Sequence, residues 1–311
     1  SSSKTIRSNA DGYFTEYTQN IANGISLFFA TERSYVEAFS QYPEIRSLKW
    51  FRFLPALQEL DARNDSIDTF LLIRQDGTYF RSDNPGNPAL GGLISEDDTD
   101  PYSRPIDLSS RDYFQRLIVN NALSIKQTIF SDPNYSKSTG EKQIVLATNI
   151  IGDLGNSIGL FAITIPGEIL DSAIRDASGS LETKFGQRGE LLVISDDGVL
   201  VSRQKYDPEQ QKYTELVLTS EHHSSIQNLD ENLSASIQSM LSEGTNVKTY
   251  QRPGRESWYV AGREISGTNY YVVLTLPERD LYSAINTIWD SVIFITALTL
   301  IAVLAISLLL G

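Results

Sequence analysis

The segment Asp107–Phe114 carries residue types suited to binding a small molecule, because it places an arginine beside aromatic rings. Arg111 is its central residue. The planar guanidinium presents a fork of donors that matches a carboxylate, and each charge-assisted hydrogen bond contributes about 1.5–3 kcal/mol. A second interpretation stays open, in which Arg111 forms an ion pair with Asp107 or Asp112 and only holds the loop.

Two aromatic residues, Tyr113 and Phe114, follow Arg111 closely enough to form the walls of such a site. The serines Ser109-Ser110 are typical of a helix start, so we predict a short helix over 111–121. Adjacent helical positions point about 100° apart, and we therefore expect only one of the two rings to face a ligand.

Tyr135 and Lys126 are two further polar candidates. The hydroxyl of Tyr135 can donate a hydrogen bond to a ligand, or the residue can simply close a hairpin. Lys126 belongs to the strand-like run 125–130, and strand alternation places it with Thr128 and Phe130 on one face, which is either a pocket or the solvent side. In a pocket, Lys126 together with Arg111 would favour an anionic ligand such as a dicarboxylate.

The composition argues against several other kinds of chemistry. A net charge of −13 disfavours nucleic-acid binding, and the chain contains no Cys and only two His, His222 and His223. We expect those two His in an exposed loop. The acidic run 95–100 lacks the spacing and the Gly of an EF-hand, so it is interpreted as a solvated loop. We predict no catalytic residue, metal site or cofactor.

The C-terminal segment predicts a membrane helix. No charged residue occurs between Ser291 and Gly311, and about 20 apolar residues suffice to cross a bilayer as a helix. Trp289 and Asp290 stand at its start, where interfacial aromatic and polar residues are common. A buried core helix is the alternative interpretation.

The N-terminal segment predicts a long helix, because apolar residues recur at steps of three or four from Ile6 to Phe28. This stripe can pack on its own domain or against the same helix of a second subunit. The second possibility makes a homodimer the expected assembly. After Pro43, a further helical stretch is predicted over 44–60.

Two modules of similar plan follow. The strand-like run 68–74 leads to Asp76-Gly77, a strong hairpin signal because Gly adopts the positive φ of a tight turn. The pattern recurs at Asp197-Gly198, and the closing strands 158–165 and 270–276 both run into a Pro and an acidic helix start. The remaining predicted elements are strands at 125–130, 143–150, 247–251 and 258–263, a helix at 234–241, and a connection at 171–189 between the modules.

These elements define an α+β fold in which a long helix is followed by two tandem meandering antiparallel sheets and a transmembrane helix. The expected boundaries are a helical stalk at 1–60, a membrane-distal module at 61–175, a membrane-proximal module at 176–288 and the membrane helix at 289–311.

The order of these elements resembles the double Cache (dCache) sensor domains, whose modules are PAS-like. The element at Arg111, Tyr113 and Phe114 is similar to the family's Arg-x-(Trp/Tyr)-(Tyr/Phe) motif. The turn 135–141 resembles its Tyr-x-x-x-Thr-Gly hairpin. The resemblance implies an extracytoplasmic sensor of a chemoreceptor, histidine kinase or cyclic-di-GMP enzyme, with the ligand in the distal module.

Four positions depart from the pattern of the family's amino-acid-binding members, and two of these are Tyr113 in place of a Trp and Phe114 in place of a Tyr. Ile106 stands in place of a Tyr, and Thr164 stands in place of the Asp that binds the ligand's amine. A neutral hydroxyl recovers only part of the hydration that a buried ammonium loses, which argues against a standard α-amino acid. The expected ligand is a small, anionic metabolite such as a carboxylate.

The sequence therefore predicts a non-enzymatic sensing region, anchored in the inner membrane through Ser291–Leu310 with its bulk periplasmic or extracellular. Ligand binding in the distal module would shift the population of states and bias the membrane helix. The alternative is a sensor of a protein partner without a small-molecule ligand. A surface hydrolase has little support, because no Gly-x-Ser-x-Gly motif is present.

Overall fold

The long N-terminal helix joins the rest of the molecule into one body. The structure is a computed structural model. It describes residues 2–62, 66–121, 125–136, 140–179, 181–210, 212–215, 225–243, 247–252, 254 and 256–310.

Helix α1 (Ser2–Phe39) buries its apolar stripe against two sheets of the same chain. Phe14 contacts Phe185 and Tyr259, and Phe29 contacts Phe130. Intrachain packing therefore occupies this stripe, and a second subunit cannot use it without opening the core.

The predicted helix over 44–60 is two helices. Helix α2 (Pro43–Arg46) ends before Leu48, which adopts a left-handed conformation at φ 57°, and helix α3 (Trp50–Asp61) begins just after it. The prediction of one continuous helix was wrong here. Leu48 packs against the apolar core, so burial of its side chain offsets the backbone cost of the break.

The first sheet follows α3 and has six strands: β1 (Thr69–Arg74), β2 (Tyr79–Arg81), β3 (Thr128–Phe130), β4 (Asn134–Tyr135), β5 (Lys142–Ile151) and β6 (Ser157–Pro166). Their order is β2-β1-β6-β5-β3, with β4 also paired to β5, and all pairs are antiparallel. The sheet is not the plain meander that we predicted, because β1 lies between β2 and the last strand. The run 125–130 becomes a strand only from Thr128.

The second sheet repeats this plan with β7 (Glu190–Ser195), β8 (Leu200–Asp207), β9 (Lys212–Glu215), β10 (Val247–Gln251), β11 (Ser257–Glu264) and β12 (Tyr270–Pro277). Its order is β10-β11-β12-β7-β8-β9. Thr69 pairs with Thr164 in the first sheet, and Glu190 pairs with Thr275 at the same place in the second. The internal repeat that the sequence predicted is therefore also present in the structure.

Helices complete the layers around the two sheets. Helix α5 (Gly167–Ser178) and helix α6 (Leu181–Phe185) connect the sheets, and α7 (Glu231–Glu243) packs on the second sheet. Helix α8 (Glu278–Leu310) ends the described chain. Within the part of the chain that the structure describes, no helix is both long and apolar enough to cross a membrane.

Candidate functional site

The segment that carries Arg111 rests on the β1–β2 turn. The backbone N–H of Leu108 donates to the carbonyl of Gly77 at 3.0 Å. Gly77 has φ +84°, and a Cβ there would lie 2.0 Å from Oδ1 of Asp107. Gly77 is therefore required for two reasons: its backbone is left-handed, and the following loop lies too close for a side chain.

The short helix after this loop, α4 (Asp112–Phe114), begins differently from our prediction. Its N-cap residue is Arg111, which makes no side-chain capping bond. The prediction that Ser109-Ser110 cap the helix was therefore wrong. Instead, the carboxylate of Asp107 accepts hydrogen bonds from the N–H and the hydroxyl of Ser109, at 2.7 and 2.9 Å. Asp107 therefore fixes the loop that leads to Arg111.

The guanidinium of Arg111 is not held by either acidic neighbour. Its Nη2 donates to the carbonyl of Tyr135 at 2.9 Å, whereas Asp112 accepts the N–H of Asp132 at 2.8 Å. Across the described residues, Arg111 forms no salt bridge. The ion-pair interpretation is therefore not what the structure shows, and most of the guanidinium fork remains available to an anion.

Tyr113 and Phe114 are both 2% exposed and both belong to the apolar layer on one face of the first sheet. After Phe114 the helix continues as a π-helical turn, Gln115–Val119, in place of the regular helix that we predicted over 111–121. Burial raises the pKa of the Tyr113 hydroxyl well above its usual value. This layer, together with Leu71, Val145 and Ala162, forms what we call the α4 face of the sheet.

The sequence reasoning missed Tyr79 and Arg81, which lie on the same face. Strand register pairs Tyr79 with Ile73 and Arg81 with Leu71, so both side chains point toward α4. Burial raises the pKa of Tyr79, while the nearby guanidinium groups of Arg81 and Arg111 act in the opposite direction. Strand alternation from the Asp76-Gly77 turn is the signal that would have identified both residues.

Arg81 forms a two-bond ion pair with Asp83 beside Thr69. Its Nε and Nη2 lie 2.7 and 2.6 Å from the two carboxylate oxygens of Asp83, and the hydroxyl of Thr69 donates to the same carboxylate at 2.9 Å. Arg81 is 5% exposed. Because the pair is bidentate, it fixes the polar end of the α4 face geometrically.

Thr164 lies at this same polar end, one strand away from Thr69. It is 1% exposed, and its hydroxyl donates to Oδ2 of Asp68 at 3.1 Å. A carboxylate therefore stands next to Thr164, the position at which the family's amino-acid-binding pattern has an Asp. It comes from the residue before β1, which only the β1–β6 pairing brings close.

Lys126 lies on the opposite face of the sheet from Arg111. Thr128 pairs with Thr148, Phe130 packs with α1, and Nζ of Lys126 donates to Oγ of Ser40 at 3.1 Å. Burial lowers the pKa of Lys126, and a nearby carboxylate, that of Glu37, offsets part of this effect. The predicted common face of residues 126, 128 and 130 is correct, but the structure does not bring Lys126 and Arg111 together.

The remaining candidates divide between described and undescribed residues. Tyr135 lies on β4 with its side chain 46% exposed, and it contributes its carbonyl to Arg111. In the acidic run, Asp98 accepts hydrogen bonds from Ser95 and Asn84. Residues 137–139 of the predicted hairpin motif, and both His, fall outside the described residues. Among those that are described, no group of His, Asp or Glu is arranged to hold a metal ion.

Comparison with known proteins assigns the family. The Cache domain model dCache_1 matches residues 2–285, and the chain therefore belongs to this family. No curated protein matches the chain.

Solved structures of bacterial sensor domains share the fold. The ligand-binding domain of the Pseudomonas fluorescens chemoreceptor CtaA, in complex with L-leucine, is 14% identical with a TM-score of 0.60, covering 90% of this chain and 99% of that one. The ligand-binding domain of the Pseudomonas aeruginosa PAO1 amino acid chemoreceptor PctB, in complex with L-Arg, is 15% identical with a TM-score of 0.56, covering 88% of this chain and 97% of that one. The extracellular domain of the putative histidine kinase rpHK1S-Z16 is 16% identical with a TM-score of 0.54, over 86% and 95%.

Proposed function

We propose that this chain is the extracytoplasmic ligand-sensing region of a transmembrane receptor, and that its distal module binds a small α-amino acid on the α4 face. The observation that carries the proposal is the placement of Arg111 and Asp68 around that face. The guanidinium of Arg111 donates to the Tyr135 carbonyl and keeps its other donors, and the carboxylate of Asp68 lies beside Thr164. We take 61–175 as the distal module and 176–288 as the proximal module.

The two ends of the site have opposite charge preferences. Arg111 would bind the ligand's carboxylate through charge-assisted hydrogen bonds, and Asp68 with Thr164 would receive its ammonium group. Between them, Tyr79 and Tyr113 supply hydroxyl groups, and Phe114 packs beside them in the same apolar layer. The solved relatives in complex with L-leucine and L-Arg support the same ligand class.

Asp68 supplies a carboxylate near Thr164, and the lack of a carboxylate at position 164 was the sequence argument against an amino-acid ligand. A buried ammonium requires a carboxylate partner, and Thr164 alone does not provide one. Asp68 restores that partner from a neighbouring strand, so an amino acid replaces the purely anionic ligand as our proposal. Lys126 has no part in the site, because it lies on the other face of the sheet.

We further propose that residues 291–311 anchor the region in the inner membrane, with the sensing modules periplasmic or extracellular. The absence of charge over these residues supports this role, and so do the large apolar side chains of Ile293 and Phe294, which are 63% and 67% exposed. Ligand binding would bias α8 through the proximal module toward a kinase, chemoreceptor or cyclic-di-GMP output. A homodimer would have to form through a surface other than the buried stripe of α1.

The test is a thermal-shift screen of the purified chain with the L-amino acids and their des-amino carboxylates, using wild type, Arg111→Ala and Asp68→Asn. A ligand at a hundredfold excess over its Kd stabilises the folded state by about 2.7 kcal/mol, which a melting curve resolves easily. We expect at least one amino acid to stabilise the wild type but not Arg111→Ala. Asp68→Asn should weaken binding of the amino acid while leaving its des-amino analogue unaffected.

Two results would overturn the proposal. If the stabilising compounds act equally on Arg111→Ala, the ligand does not bind at this site. If no compound stabilises the wild type, the sensor of a protein partner becomes the better hypothesis, and pull-down with the intact chain follows.

A further inference from the structure

A cavity lies on the side of the first sheet that faces away from Arg111. It occupies about 540 Å³ between α1, the end of α3 and the start of β1, within the range of small-molecule sites. Its walls are largely aromatic and aliphatic; they comprise Phe28, Tyr35, Phe39, Leu60, Ile67 and Phe70. Phe70 points away from the α4 face, since strand alternation sends Thr69 and Leu71 to that face.

Glu32 is the single acidic residue in the described lining of this cavity, and no Lys, Arg or His belongs to that lining. It is 3% exposed, and its Oε1 accepts a hydrogen bond from the hydroxyl of Ser66 at 2.6 Å. Its Oε2 is buried and finds no hydrogen-bond partner among the residues that the structure describes. Burial raises the pKa of this carboxyl, and the bond from Ser66 offsets part of that rise.

A buried carboxylate with an unpartnered oxygen is costly, because the group loses its hydration without compensation. A ligand that donates to Oε2 would remove that cost. The aromatic walls restrict the ligand further. Tyr35 and Phe39 stack with their ring planes 7° apart, and such ring faces attract cations as well as apolar groups.

We propose that this cavity is a second ligand site, which binds a protonated organic amine with its ammonium on Glu32 and its apolar body against the rings of Tyr35, Phe39 and Phe70. A dicarboxylate or a phosphate would be repelled by Glu32. A small inorganic cation on Glu32 would leave the space between the carboxylate and the aromatic walls empty. The site is separate from the proposed amino-acid site, because the first sheet stands between them.

The test uses isothermal titration calorimetry at neutral pH with 2-phenylethylamine, and with 2-phenylethanol as the uncharged analogue of the same shape. The key variant is Glu32→Gln, which keeps the shape of the side chain and removes its charge. Its matched control is Glu37→Gln on the same helix, because Glu37 pairs with Arg33 and lies outside the cavity lining. Arg111→Ala separates this site from the one on the α4 face.

We expect the amine to bind wild type, Glu37→Gln and Arg111→Ala with similar affinity. Glu32→Gln should weaken it by about tenfold or more, because a charge-assisted bond to the ammonium is lost. The alcohol should bind no better to wild type than to Glu32→Gln. A second variant, Leu60→Trp, fills the cavity while keeping the carboxylate, and it should also abolish amine binding.

Three outcomes would overturn the inference. The first is an amine affinity that survives both Glu32→Gln and Leu60→Trp. The second is a wild type that does not prefer the amine over the alcohol. The third is binding that disappears in Arg111→Ala, which would assign the amine to the α4 face and leave the amino-acid proposal standing.

Discussion

The hydroxyl of Tyr270 donates a hydrogen bond to the carbonyl of Ser131 at 2.5 Å, and this buried contact links the two sheets directly. Tyr270 opens β12 of the second sheet, and Ser131 follows β3 of the first. The rings of Phe29 and Phe130 pack around it, with Tyr270 lying 5.8 and 5.7 Å from their centroids. A change at the edge of the first sheet therefore has a short physical route to the strand that leads into α8.

Removing this hydroxyl should loosen the contact between the sheets. Tyr270→Phe keeps the ring but leaves the Ser131 carbonyl without that donor, so we expect a loss of about 1–2 kcal/mol in the free energy of unfolding. Urea denaturation of the intact chain measures it. Tyr271→Phe is the control on the next residue of the strand, and it should stay within about 0.5 kcal/mol of wild type. Equal effects of both variants would show that the hydrogen bond contributes nothing.

The contact of α1 with α5 gives a second prediction, from two glycines of one helix. A Cβ on Gly24 would lie 2.9 Å from the Cβ of Ala177, whereas a Cβ on Gly12 meets nothing within 4 Å. Gly12→Ala should stabilise the protein by about 0.5–1 kcal/mol, since Ala is the better helix former. Gly24→Ala should lose that gain to overpacking. Thermal unfolding of both variants checks this, and an equal gain would mean that the helices are not in close contact at Gly24.

A third prediction concerns the turn under Arg111. Gly77→Ala and Gly155→Ala both place a side chain at positive φ, which costs about 1–2 kcal/mol, but only the first also collides with Asp107. We expect the larger loss of stability for Gly77→Ala. Hydrogen exchange should accelerate over residues 107–115 in that variant alone. Unchanged exchange there would show that Arg111 does not depend on the turn.

The sequence predicted those parts of the fold that depend on local pattern. Both Asp-Gly hairpins and strands such as β5 and β6 appear within a residue or two of their expected bounds. The predicted stripe from Ile6 to Phe28 lies within α1, which continues to Phe39. Each is set by side-chain period and by turn residues, which act over a few positions. The break at Leu48 was not predictable in this way, because it follows from packing against the core.

The site was only partly predictable, since most of its polar residues meet through strand pairing. Arg111, Tyr113 and Phe114 adjoin in sequence, but Asp68 reaches Thr164 only because β1 lies beside β6. Lys126 matched its expected strand face, yet sequence could not show which layer covers that face. Glu32 likewise belongs to a helix, and its hydrogen bond from Ser66 joins residues 34 positions apart, which the helical pattern alone does not reveal.

In the second sheet, a buried charge cluster occupies the place that Thr69 has in the first. Glu190 is 2% exposed and contacts three cations; the closest approaches are Arg252 at 2.6 Å, Arg203 at 2.7 Å and Lys205 at 3.1 Å. Arg252 also stacks on the ring of Trp258, 3.7 Å from its centroid. The cluster thus places a buried carboxylate at the strand position that Thr69 occupies in the first sheet.

Acid should weaken this cluster. Burial raises the pKa of Glu190, but the hydrogen bond from Arg252 and the charge of Arg203 outweigh it, so the pKa lies below its ordinary value of 4.5. A depressed pKa means that the folded state binds fewer protons than the unfolded state. The stabilisation is therefore complete above about pH 4.5 and is lost as the pH falls through the lower folded value.

Glu190→Gln tests this contribution. Removing the anion leaves three neighbouring cations uncompensated, and we expect a loss of about 3 kcal/mol at neutral pH, near the lower end for buried pairs because the cations are partly exposed. Urea denaturation at a series of pH values should show wild type and variant converging below about pH 4.5. Glu209→Gln, on the exposed turn after β8, should follow wild type throughout. A difference between Glu190→Gln and wild type that stays constant into acid would contradict the role of the ionised carboxylate.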